Sequence, residues 1–310
     1  MLSRRQLRIK VLQALYSFYQ SEKTDLAAAD KELFRSIDKV NELYLFLLLL
    51  LKEIGDTDLL DAGELHQKHF PKEDELKARN RFYQLAFIQK IASDQILLKE
   101  LQNRKLSWQK ENETVKKIFH EIKKSEDYRN FLLNKAEVTE KDFLAGIVKN
   151  HIEQSEALKN FIEENSIYWI EDFSFICHIV IKTIREFYKS SKLELIPVYK
   201  DDDDKSFVRD LFMKTILHDK EYEMAISSKT QNWEVERIAL IDMILLKMSM
   251  AELIAFPGIP VKVTINEYID ISKDYSTPKS RQFINGIIDK LAGEYKKSGK
   301  IVKTGRGLIE

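Results

Sequence analysis

Asn232-Trp233-Glu234-Val235-Glu236-Arg237-Ile238-Ala239-Leu240-Ile241-Asp242 runs into an apolar segment that keeps helical spacing to Ala255 and stops at Phe256-Pro257-Gly258. The next stretch, Ile259-Pro260-Val261-Lys262-Val263-Thr264-Ile265-Asn266-Glu267, contains a Thr-x-x-Glu pattern that reads as a capping box opening a helix to about Lys273. Thr277 then precedes Pro278, the arrangement of an N-cap and first helical residue, so Ser280-Arg281-Gln282-Phe283-Ile284-Asn285-Gly286-Ile287-Ile288-Asp289 lies on a helix that continues to about Tyr295. Three consecutive helices with punctuated ends decide the fold class of this part of the chain.

The rest of the sequence agrees with an all-α reading. Gly (9) and Pro (5) make up under 5% of 310 residues, against about 12% in typical proteins. No Gly or Pro occurs from Lys72 to Ala145, which excludes a succession of hairpins there. Ser3 and Gln6 form a capping box for a first helix with two apolar stripes, Leu7, Val11, Ala14, Leu15 and Phe18 on one and Ile9, Leu12, Tyr16 and Tyr19 on the other. A second helix is expected over Leu26–Ile54, ending near Gly55 at the Asp56-Thr57-Asp58 turn. The Gly-poor region from Leu59 to Leu195 keeps helical periodicity, with the apolar segment Phe173 to Phe187 expected as a buried helix. Asp201-Asp202-Asp203-Asp204-Lys205 reads as an acidic linker that favours the positive end of the following helix. The tail from Lys296, with Lys297, Lys300, Lys303 and Arg306, is expected to fray.

Formal net charge is zero, so total charge carries no information about partners. Lone Cys177 excludes an internal disulfide and a cysteine metal cluster, and reads as a buried free thiol in a reducing cytosol. The apolar run Leu43 to Leu51 is nine residues long, whereas a membrane span needs roughly 18 or more, so it reads as a core helix. The start Met1-Leu2-Ser3-Arg4-Arg5 leads into Gln13 and Gln20 without a small-residue cleavage site, which does not fit a signal peptide. A cytoplasmic protein without membrane partners is therefore expected.

Catalytic and cofactor motifs are wanting. His66 and His69 are three apart with no third ligand at a defined spacing, and read as surface histidines. Ser298-Gly299-Lys300 lacks the preceding glycine and the strand of a phosphate loop. The chain is expected not to be an enzyme and to use no cofactor or metal. Arg4, Arg5 and Arg8 cluster at a helix N-terminus, where free N–H groups and the dipole attract anions and the guanidinium fork suits phosphate and bases. Taken alone, such a cluster also reads as a solvated helix end.

Arg4-Arg5-Gln6-Leu7-Arg8 followed by Val11-Leu12-Gln13-Ala14-Leu15-Tyr16-Ser17, together with the Asn232–Asp289 motifs, resembles the NusB family of bacterial transcription antitermination factors. The resemblance covers about residues 3–20 and 206–292. It implies an all-α fold of NusB-type helical bundles with an inserted helical subdomain: 1–55 as the N-terminal part, 56–198 as the insertion, 199–296 as the C-terminal bundle and 297–310 as a basic tail. It also implies an RNA-binding factor acting on boxA-type single-stranded RNA of ribosomal-RNA leader transcripts. Its partners would be NusE, a ribosomal small-subunit protein, and the elongating RNA polymerase complex. By position, Arg4, Arg5 and Arg8 match the basic RNA-binding start, and Phe283 an aromatic near the RNA, with Lys279 and Arg281 on the same turns to bind phosphate. Tyr16 and Asp242 match positions facing NusE.

Each of these residues has a plainer reading. Phe283 lies four residues before Ile287 and reads equally as core, Tyr16 belongs to an apolar stripe, and Asp242 reads as a solvated carboxylate. Capping accounts for Asn266 and Glu267 without a ligand. Lys247 stands where the family commonly has arginine, and Gln6 where a third consecutive arginine can occur. These departures imply weaker RNA binding or additional contacts from the insertion. The alternative function is a protein–protein adaptor that retains the fold without RNA binding. Members fused to RNA methyltransferases exist, but this chain has no glycine-rich loop after a strand.

Overall fold

The computed structural model describes residues 1–21, 25–65, 80–132, 138–230 and 238–309, and among them there are helices and no strand. His66, His69 and the opening Trp233 to Arg237 of the motif lie outside the described residues. The chain forms two compact units: Ile37–Val198 with Met1, and Leu2–Ser36 with Tyr199–Glu310.

In the second unit the helix Leu240–Ala255 is the centre. Every residue from Asp242 to Leu253 is buried, as expected of a helix that is apolar on all sides. Helices Arg4–Gln20, Asp202–Leu217, Asp219–Ser227, Val261–Tyr275 and Pro278–Lys297 all pack on it. The first helix supplies Leu7, Val11, Leu12 and Leu15 to that core. Its second stripe is only partly used: Leu12 is buried, but Tyr16 is 41% exposed.

One polar group is sealed inside. Glu252, fully buried on the central helix, accepts from Arg8 Nε and a terminal Arg8 nitrogen at 2.7 Å each, from Thr264 Oγ1 at 2.9 Å and from Tyr268 Oη at 3.2 Å. A buried carboxylate without partners would cost several kcal/mol, so these four donors are what allow an acid at the centre of the bundle. They also join three helices at one point.

The Ile37–Val198 unit takes most of the long helix Leu26–Leu65, whose Leu43–Leu51 run is buried throughout. Among the described residues no helix is long and apolar enough to cross a membrane. Phe46 on this helix stacks on Trp108 at 4.2 Å and on Trp169 at 5.5 Å, and the two indoles donate to the carbonyls of Phe46 and Lys39. The expected buried helix is present as Phe173–Ser190, with Ile176, Cys177, Val180, Ile184 and Phe187 at helical spacing on its inner face. Tyr44 and Thr183 hydroxyls meet at 2.8 Å and tie it to the long helix.

Several ends differ from the expectation, each for a local reason. The second helix does not stop at Gly55. A Cβ there would lie 2.6 Å from Ile88 Cγ2, so the glycine permits close packing and is not a cap. Asp56 pairs with Lys52 one turn back, and Asp58 accepts from the backbone N–H of Phe82 and Tyr83 at 2.9 and 3.1 Å, so the supposed turn stays helical. The central helix begins at Leu240, since Ile238 and Ala239 are not helical. The following helix begins at Val261, after Pro260, which leaves Thr264 inside the helix with its hydroxyl turned to Glu252 in place of a capping role. Asp201 caps the helix Asp202–Leu217, and Asp204 is buried, so the tetrad is a helix start and not a linker. The caps at Ser3 and Thr277 occur where expected. The tail does not fray: the last long helix reaches Lys297, Ile301 is buried, and Thr304 N–H donates to the Pro257 carbonyl at 3.0 Å.

Glu252→Gln keeps the side-chain shape but leaves the buried Arg8 charge with only the longer Glu267 contact at 3.5 Å, and should cost about 3–5 kcal/mol, read as a lowered midpoint in urea unfolding. Burial pushes the Cys177 thiol well above its ordinary pKa, helped by nearby Glu153. A thiol-specific reagent at pH 8 should therefore spare the native chain and titrate its lone cysteine once urea unfolds it.

Candidate nucleic-acid interface

The capping box at Ser3 fixes the first helical turn, and that turn presents the arginines. They enter three different environments. Arg4, with a side chain 40% exposed, places Nε 2.6 Å from Asp204 Oδ1 and its guanidinium 4.5 Å over the Phe207 ring. Arg5, 45% exposed, makes a two-pronged pair with Glu267 at 3.0 Å on each prong and reaches Asp270 at 2.8 Å. The bond from Glu267 is the main reason its pKa is raised. Arg8 has a side chain only 3% exposed. Burial opposes its charge, but Glu252 outweighs that and holds its pKa above the ordinary arginine value.

Arg4, Arg5 and Arg8 line one open cleft of about 1220 Å³. Phe207 and the Phe256–Pro260 corner provide its apolar wall, Asp203, Asp210 and Glu267 its acids, and Arg306 of the tail a fourth arginine. Phe207 and Phe256 meet edge to face at 5.1 Å. The expectation that Arg8 contacts phosphate does not fit this arrangement, because both of its prongs are spent on Glu252 inside the core. Glu267 is not a capping residue either, but the carboxylate that orients Arg5.

Lys279, Arg281 and Phe283 do not line that cleft. Lys279 is exposed in the first turn of Pro278–Lys297, and Arg281 and Phe283 are half-buried. The Arg281 Nε is buried without a hydrogen-bond partner. Tyr16 sits on the solvent side of the first helix, accepting from Gln20 Nε2 at 3.4 Å. Asp242 is buried and accepts from the Ser276 hydroxyl, so it is neither a solvated carboxylate nor exposed to a partner. Lys247, on the central helix, is buried between Asp219 and Glu223 at 2.7 Å each, and Tyr19 donates to the same Asp219.

Sequence reasoning missed Glu252, Asp204, Phe207 and Arg306. Glu252 did carry a signal: it is a carboxylate amid the apolar residues at the end of a helix that is apolar on all sides, a place that demands a buried cationic partner. Arg306 carried none, since its place depends on the path of the tail. Among the described residues there is no cluster of three or more histidine, cysteine or acidic side chains able to hold a metal.

The family model described as the NusB family matches residues 180–293, starting earlier than the motifs at 206 and including part of the Phe173–Ser190 helix. A transcription antitermination protein NusB from Salinibacter ruber is 41% identical over 114 residues, which is 37% of this chain and 71% of that protein. The protein of the same name from Chloroherpeton thalassium is 39% identical over 106 residues, 34% of this chain and 50% of that protein. That from Geobacter sulfurreducens is 41% identical over 88 residues, 28% and 64% respectively. The chain thus spans less than two thirds of the last two relatives. No solved structure gives a significant match. With the all-helical bundle built around Leu240–Ala255 and this degree of identity across most of the first relative, the chain belongs to the NusB family.

Proposed function

We propose that this chain is a transcription antitermination factor that binds boxA-type single-stranded leader RNA together with NusE and joins the elongating RNA polymerase complex. Kinship with relatives that carry the name transcription antitermination protein NusB is the observation that carries the reading. The open, arginine-lined cleft beside the first helix supports it. In this reading Arg4 and Arg5, each partly exposed, contact phosphates. Lys279 and Arg281 form a second phosphate contact on the last long helix, where Phe283 offers a ring for base stacking worth roughly 1–3 kcal/mol. Arg8 acts from behind, through Glu252 and the turn that holds Arg5. Exposed Tyr16 belongs to the NusE-facing surface, and Asp242 supports that side from within through Ser276. We further propose that residues 56–198 are a helical insertion, of which the last part, from 180, already falls within the family match, and that the protein is cytoplasmic.

A second reading, an adaptor without RNA binding, is favoured by one observation: Arg4, Arg5 and Arg8 are each already paired with a carboxylate. Phosphate must displace Asp204, Glu267 and Asp270 to gain Arg4 and Arg5. That exchange weakens binding to RNA alone and makes a second binding partner valuable.

Titration of fluorescent boxA-type RNA, with and without NusE at several salt concentrations, separates the two. Four neutralised phosphates on a single strand give a slope of about −3 in log affinity against log salt. Changing Arg4 and Arg5 together to Ala should reduce that slope by about 1.4. A stable complex with NusE but no RNA binding under any condition would establish the adaptor instead.

A further inference from the structure

The chain after Lys297 lies beyond the region that matches the family, yet it is built into the wall of the cleft. Ile301 is 7% exposed and anchors the return of the chain. Lys303 Nζ donates to the Phe256 carbonyl at 3.0 Å, and Thr304 N–H donates to the Pro257 carbonyl at the same distance. Gly307 lies against that carbonyl so closely that a Cβ would stand 1.9 Å from the oxygen, and only glycine fits there. The short turn Gly305–Leu308 is thereby held to the corner that forms the apolar wall.

That turn brings Arg306 into the cleft as an exposed side chain with no ion pair among the described residues. The contrast with the other arginines is chemical. Arg4 is paired with Asp204, Arg5 with Glu267 and Asp270, and Arg8 with Glu252, while Asp203 and Asp210 also line the cleft; of its four arginines Arg306 alone has no carboxylate partner among the described residues. A paired arginine must give up a carboxylate before it takes phosphate, whereas an unpaired one offers its fork without exchange. We infer that Arg306 is the principal phosphate anchor of this cleft, and that the tail is part of the RNA site. The inference rests on the RNA-binding reading above.

The test uses the full chain and the same fluorescent single-stranded RNA. Arg306→Ala, on the surface, should leave helical content and urea midpoint unchanged. It should weaken binding about tenfold at low salt and reduce the salt slope by about 0.7, the share of one single-strand phosphate contact. Arg306→Lys should restore the slope but not the full affinity, because a point charge lacks the two-pronged fork. Gly307→Val, which keeps Arg306 but displaces the turn, should weaken binding to a similar degree. If the unaltered chain binds and Arg4→Ala with Arg5→Ala weakens it, while Arg306→Ala binds as tightly and with the same slope, the inference fails and the RNA reading stands. No binding by the unaltered chain overturns both.

Discussion

The Arg8–Glu252 pair is the interaction on which the Leu2–Ser36 and Tyr199–Glu310 unit depends. A carboxylate with no exposure sits in the last turn of the central, largely apolar helix, and that position is tolerable only while its donors stay in place. Arg8 supplies two of them, and Thr264 and Tyr268 the others. Because the donors come from the first helix and from Val261–Tyr275, satisfying one acid sets the mutual register of three helices. Apolar packing alone would leave that register free to slide, since Leu, Ile and Met surfaces fit one another in many ways. Buried ion pairs add little net stability, and specificity is the better account of this one.

The same pair shapes the cleft. With Arg8 drawn inward, Arg4 and Arg5 remain at the surface, and Glu267 reaches both Arg5 and, at 3.5 Å, Arg8. The cleft is therefore a zone of matched charges and not a simple basic patch. Any anion that enters competes with carboxylates already in position, a design that trades affinity for selectivity. Whole-chain charge, which is zero, conveys none of this, because the relevant quantity is which cations still have a free face.

A second buried arrangement follows the same logic. Lys247 lies between Asp219 and Glu223, with the Tyr19 ring 5.4 Å from its ammonium. The resemblance implied an arginine at this position, but the lysine's compact ammonium suits two separate carboxylates better than one fork would. As a departure from the pattern it implied weaker RNA binding. In the structure it closes an internal network none of whose residues lines the arginine-lined cleft.

The fold was legible where chemistry is local. Helical periodicity, the scarcity of Gly and Pro, the Ser3 and Thr277 caps and the buried face of Phe173–Ser190 all depend on neighbours within a turn or two, and all occur as read. The errors share one cause. Gly55, Asp58, Thr264, Glu267 and Asp204 belong to types that end or cap helices, yet each is engaged by a residue distant in sequence: Ile88, Phe82 and Tyr83, Glu252, Arg5, Arg4. Of the candidate site, the arginines were visible because they are adjacent in sequence, but their division into buried and exposed was not. The sequence by itself determined an all-helical chain of the NusB family with a basic first turn. Only the tertiary structure decided which arginine is buried, which acid each one faces, and that the tail carries Arg306 to the same cleft. Charge pairing acts over a few ångströms in space, and side chains some 200 to 260 residues apart come that close only when the bundle closes.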